Sequence, residues 1–108
     1  MILEIRLTGH LTAPDLEAAF ARLAPRLRAA TTTYGLVVDC AEMTGYDAEA
    51  RERFVEWNRA HHAQIARIAI VTQNRLWHMV ISAMSLATSQ PMRPFDDRDA
   101  ARAWLAAA

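Results

Sequence analysis

Cysteine occurs once in the 108 residues, glycine three times and lysine not at all. Cys40 has no partner for an internal disulfide, and no Cys/His spacing matches a zinc site, so the chain reads as a protein of a reducing compartment, by default the cytoplasm. Glycines at 9, 35 and 45 alone satisfy neither a dinucleotide fingerprint nor a phosphate-binding loop, which excludes the nucleotide cofactors that need those loops. An excess of one charge is also missing: 12 arginines face 12 acids, leaving no field to draw the chain onto nucleic acid. Met1 runs straight into an alternating pattern with neither a basic n-region nor an apolar h-region, so no export leader is expected. What is present is a hydrophobic fraction of 53%. A single domain over residues 1–108 that buries roughly two-thirds of its unfolded surface needs no metal or disulfide staple.

The periodicities alternate between strand and helix. Ile2 to Thr8 puts Leu3, Ile5 and Leu7 on one face and Glu4, Arg6 and Thr8 on the other, the pattern of a strand near a sheet edge, ended by Gly9 and His10. Thr12, Pro14 and Asp15 read as cap, early helical proline and first-turn acid of a helix carrying Leu16, Phe20, Leu23 and Leu27. Pro25 deletes one backbone donor and predicts a bend or restart near Ala24. Tyr34 to Cys40 and Ile68 to Val71 are unbroken apolar runs, as strands buried on both faces are. Between them, Ala48 to Gln64 reads as a helix capped by Asp47, with Ala50, Phe54, Trp57, His61 and Ile65 on one stripe. A third helix spans Arg75 to Ser89, a short strand Pro91 to Phe95, and a last helix capped by Asp96 or Asp97 buries Ala101, Trp104 and Leu105. The fold class predicted is α/β, a single-layer, mostly parallel sheet of four strands covered on both sides by about four helices.

Few residues invite chemistry. His61 and His62 are adjacent on a helix and point about 100° apart, so they cannot share an ion without a distant third ligand. His61 reads as a packed histidine with its hydrogen bonds satisfied, and His62 as a surface residue near the helix end. Cys40, ending a buried strand with no histidine placed beside it, reads as core. Asp96, Asp97 and Asp99 stand where a helix N-terminus favours acids, so capping explains them without a cation. Neither a metal nor a cofactor is expected, and no enzyme, because nucleophile, base and oxyanion donor cannot be assembled. The third helix is more informative: Leu76 to Met92 contains no Arg, Asp or Glu. His78, Ser82, Ser85 and Ser89 form one polar stripe, flanked by Trp77, Met79, Ile81 and Leu86, which are expected to remain partly exposed. Full burial of this helix and a partner or lipid surface both fit that composition, whereas a transmembrane span does not.

With those residues in view, the whole chain resembles the SpoIIAA-like group of STAS-type domains, the fold of bacterial anti-sigma-factor antagonists and of sulfate-transporter tails. Phe95 to Leu105 (FDDRDAARAWL) is the most specific match, joined by Leu7 to Asp15 (LTGHLTAPD) and Arg67 to Val71 (RIAIV). The resemblance implies an additional N-terminal strand in many members, which this chain starts too late to contain. It also implies a phosphorylated serine at the start of the helix after the second buried strand. Laying Val37 to Ala48 (VVDCAEMTGYDA) on that pattern puts Asp47 and Ala48 where an acid and the acceptor serine would stand. Thr44, in the preceding loop, is then the nearest hydroxyl, and a family-like phospho-switch is not expected. The resulting expectation is a non-catalytic module that offers helix surfaces, above all Trp77, Met79, Ile81, Ser82, Ser85 and Leu86, to a protein partner or to itself as a homodimer. The alternative is binding of a lipid or small apolar ligand with membrane-surface association, because SpoIIAA-like domains are also similar to the CRAL-TRIO lipid-transfer fold.

Overall fold

The computed structural model describes residues 1–107. Four strands and four helices alternate: β1 (Ile2–Leu11), α1 (Ala13–Ala29), β2 (Tyr34–Tyr46), α2 (Ala48–Ala60), β3 (Ile65–Val71), α3 (Arg75–Thr88), β4 (Met92–Phe95) and α4 (Arg98–Ala106). The strands form one parallel sheet in the order β1-β2-β3-β4, so β1 is an edge strand, as its alternation predicts. Every strand-helix-strand unit returns to the neighbouring position, the topology expected where short connections feed a parallel sheet.

The two faces of the sheet are covered unequally. Leu3, Ile5, Leu7, Leu36, Val38, Ile68 and Ile70 point to one side, where Leu16, Phe20 and Leu23 of α1, Phe54 of α2 and Ile81 of α3 meet them in the larger core. Phe20 stacks on Trp57 with ring centroids 4.0 Å apart, joining α1 to α2. The opposite side holds Val37, Ala69 and Val71 beneath Ala101 and Leu105 of α4 alone. Gly35 permits this approach, because a Cβ there would stand 3.1 Å from Leu105 Cβ. Glu4 of β1 ties α4 down further, accepting hydrogen bonds from Arg98 Nε at 2.8 Å and Arg102 at 3.1 Å. That contact holds the Arg98 guanidinium still more firmly protonated than usual.

Several boundaries differ from the sequence expectation for identifiable reasons. β1 does not stop at Gly9 and His10; Gly9 adopts φ of 66°, a left-handed conformation that glycine takes without strain, and pairing resumes through Leu11. β2 likewise continues beyond Cys40 to Tyr46, with two register shifts against β1. Thr44 is therefore not in a loop: it is the extra residue between Met43, opposite Gly9, and Gly45, opposite His10. β3 begins at Ile65, three residues before its uninterrupted apolar run, and α2 ends at Ala60, so His61 is a cap residue. α1 passes through Pro25 without interruption. Pro25 and Ala21, whose carbonyl loses its usual donor there, are both exposed residues on the solvent side of the helix. The start of α1 follows the capping pattern: Thr12 Oγ1 accepts from Asp15 N, and Asp15 Oδ2 accepts from Thr12 N, both at 3.3 Å.

Candidate functional site

The carboxyl ends of parallel strands and the helices that follow them enclose a crevice, the usual place for a ligand in an open α/β sheet. Here it is an apolar cavity of about 80 Å³ between the sheet, α2 and α3, lined by Leu7, Leu11 and Val38 below, Phe54 at the α2 side, and Trp77 and Met84 at the α3 side. Tyr46 and Trp77 meet edge to face across it, with ring centroids 5.5 Å apart. Cys40 also lines it, and burial, reinforced by the charge of Asp39, pushes its thiol up to about 12. A thiol held protonated in this way is a poor nucleophile near neutral pH. Alkylation of Cys40 at pH 8 should proceed no faster than the chain opens, and mass spectrometry with and without urea checks it; rapid labelling of the folded protein would contradict this placement.

The other polar candidates are engaged in holding the fold. His61 is half-buried, stacks on Trp57 at 4.5 Å and donates from Nδ1 to Trp57 O at 2.9 Å. His62 points elsewhere, its Nε2 donating to Ser89 O at 3.1 Å. His78 Nε2 donates to Thr72 O at 2.8 Å and lies 3.6 Å from an Asp96 carboxylate oxygen. Asp97, not Asp96, caps α4, through Ala100 N at 2.8 Å. Among the described residues no cluster of three His, Cys, Asp or Glu side chains is arranged to hold a metal ion.

Where the resemblance would place the acceptor serine, Ala48 is the first residue of α2 and Asp47 its N-cap, although the Asp47 side chain accepts no helical N–H. It accepts instead from His10 Nε2 at 2.6 Å. Gly45 leaves room for that ring, since a Cβ there would lie 3.0 Å from His10 Nδ1. Thr44 is exposed on β2.

α3 is turned differently from the sequence expectation. Ile81, expected on the exposed flank, is 3% accessible and belongs to the core. Ser85 also faces inward: its Oγ donates to Gln90 O at 2.8 Å and accepts from Met92 N at 3.1 Å, stitching α3 to β4. Ser82 is exposed and donates back to His78 O at 3.1 Å, and Trp77 is half-buried at the cavity. The outward residues are Leu76, Met79 and Leu86, 72%, 71% and 85% accessible. Leu76 is the surface residue that sequence reasoning left out. Its signal was the three-four-three spacing of residues 76, 79, 83 and 86, a stripe of its own one-third of a turn from the serines.

Among the described residues no helix is long and apolar enough to cross a membrane. No curated protein matches the chain. One solved structure, an uncharacterized protein from the DUF3478 family of Shewanella loihica PV-4 with a SpoIIAA-like fold, superposes with a TM-score of 0.78 at 23% identity, over 94% of this chain and 82% of that one. That likeness is one of fold, and the same sheet order and helix placement account for it. The SpoIIAA-like family model matches residues 2–106, nearly the full length, and the chain belongs to the SpoIIAA-like family.

Proposed function

We propose that this SpoIIAA-like chain is a non-catalytic binding module that meets a protein partner through the outward face of α3. The observation that carries the reading is the exposure of Leu76, Met79 and Leu86 together on a helix whose remaining length after Arg75 bears no fixed charge. Scattered apolar residues on a surface need no explanation, but three large ones in line do. The protonated, buried Cys40 and histidines bonded to carbonyls or to Asp47 support a role without catalysis. With alanine at position 48, the module works without the phosphorylation switch of its antagonist relatives, and its lone cysteine suits the cytoplasm.

Leu86→Glu is the direct test. At an 85% accessible position the change should alter stability by less than about 0.5 kcal/mol, while a charge placed in an interface weakens it by at least about 2 kcal/mol. A photo-crosslinking residue at position 83, introduced in the source cell, should form adducts that Leu86→Glu abolishes; the same residue at Glu52, on the charged face of α2, should form none. Equal cross-linking from both positions would overturn the reading.

A second reading rests on the cavity: an apolar ligand under α3. At about 80 Å³ it is smaller than the roughly 150 Å³ cavity that accepts benzene, so anything the size of an acyl chain requires α3 to lift away from the sheet. Native mass spectrometry of protein from its own host should show a retained apolar molecule if this reading holds. Bare protein whose melting temperature is unmoved by added fatty acid would remove it.

A further inference from the structure

We infer that the occupant of the α3 face is a second copy of this chain, with the two α3 helices packed antiparallel about a two-fold axis; the inference rests on the reading of that face as a binding surface. Leu76, Met79, Ala83 and Leu86 are spaced three, four and three residues apart, the a and d positions of a heptad seam. The core-facing Ile81 and Thr88 lie on the opposite side of the same helix, so this is a second apolar stripe, complete and unused within the chain.

The stripe is complementary to itself in one orientation. Reversing it about its midpoint sets Leu76 of one copy against Leu86 of the other, and Met79 against Ala83. The long Met79 side chain then enters the space that the small Ala83 leaves, twice, as an isologous contact requires. A parallel pair would instead set Met79 against Met79 and Ala83 against Ala83, crowding one layer and leaving a gap in the next. Charge permits the same arrangement. Arg75, the sole fixed charge on α3, stands at the positive end of its own helix dipole, and the last turn carries no basic residue. Antiparallel packing carries Arg75 out of the seam to the far end of the partner helix, where Ala87 O already accepts from Arg59 at 3.2 Å, and desolvates no ionised group within the seam. One four-turn helix per copy makes a small interface, below about 1,200 Å² in total, so the dimer is concentration-dependent.

Sedimentation of the full chain from about 5 µM to 1 mM should show the mass rising from that of the monomer toward twice that value, and Leu86→Glu should weaken association at least about tenfold with unchanged circular dichroism. Orientation is read from Leu76→Cys and Leu86→Cys: under mild oxidation a mixture should give the 76–86 disulfide between unlike copies, and neither variant alone should cross-link. Homotypic 76–76 cross-links would overturn the antiparallel arrangement. A chain that stays monomeric at 1 mM would overturn the second-copy inference. In that case, loss of the position-83 adducts in Leu86→Glu would leave the binding face standing with a different protein on it, whereas flotation of the monomer on phosphatidylcholine–phosphatidylglycerol vesicles would assign the face to lipid. A dimer unaffected by Leu86→Glu would refute the inference, and position-83 adducts that persist in that variant would refute the binding face as well.

Discussion

Ile81→Glu should unfold the protein or lower its melting temperature by upwards of about 15 °C, whereas Leu86→Glu, five residues along the same helix, should leave it within a degree or two. Ile81 is 3% accessible and sits among the apolar side chains of the main core, which strip an ionised carboxylate of most of its water. Leaving that charge unpaired costs at least about 4 kcal/mol, a large share of the 5–15 kcal/mol that holds a domain of this size folded. At roughly 4–8 °C per kcal/mol, the shift is unmistakable in a thermal melt followed by circular dichroism. The pH dependence has a definite sign. Burial raises the pKa of the introduced Glu in the folded state above its unfolded value near 4.3, so stability is greatest below that pH and is lost as pH rises through the folded value. A variant that melts like the parent at pH 7 would show that α3 does not bury this side.

The contrast between Ile81 and Leu86 also shows where the sequence stops being informative. An amphipathic helix declares its buried side by the polarity of the other, and α1 does so: Leu16, Phe20, Leu23 and Leu27 are all buried, opposite a face of Glu17, Arg22 and Arg28. α3 has apolar residues around most of its circumference, so periodicity leaves its rotation undetermined. Between Leu76 and Ala87 the serines and histidine are the only polar markers, and two of them mislead. His78 and Ser85 turn toward β3 and β4 because backbone carbonyls there accept their hydrogen bonds, so polarity on this helix does not mark solvent. The parallel sheet, the edge position of β1 and the two-sided cover were legible from the alternation of apolar runs with capped helices. The tail of β2 was not, because Ala41 to Gly45 carries bulges, and a bulge destroys the period of two by which a strand is recognised. The candidate site was thus half visible: the segment could be chosen from its missing charge, but the face needed the three-dimensional placement of Ile81 against Leu76.

A polar residue that periodicity passed over supplies the other large effect: Gln90→Ala should cost about 2–4 kcal/mol. Gln90 lies between α3 and β4, 1% accessible, with no place in either element. Its role follows from unequal strand lengths. β3 begins at Ile65, but β4 first pairs with it at Ile68 opposite Met92, so the carbonyls of Ile65 and Ala66 extend past the end of their neighbour. Gln90 Nε2 fills that place, donating to Ile65 O at 2.8 Å and Ala66 O at 3.2 Å, as the missing strand would have. Its main chain is held as well, N donating to Thr88 Oγ1 at 3.2 Å and O accepting from Ser85 Oγ at 2.8 Å. Alanine removes the donor and opens a cavity together, and Gln90→Met separates the two losses because it restores the volume without the N–H groups. Urea unfolding should rank the proteins parent, Met, Ala, with the Met variant still below the parent by about 1 kcal/mol or more. A Met variant as stable as the parent would mean that the amide's bonds to the two carbonyls are worth no more than the cost of burying Gln90 Oε1, which has no hydrogen-bond partner among the described residues.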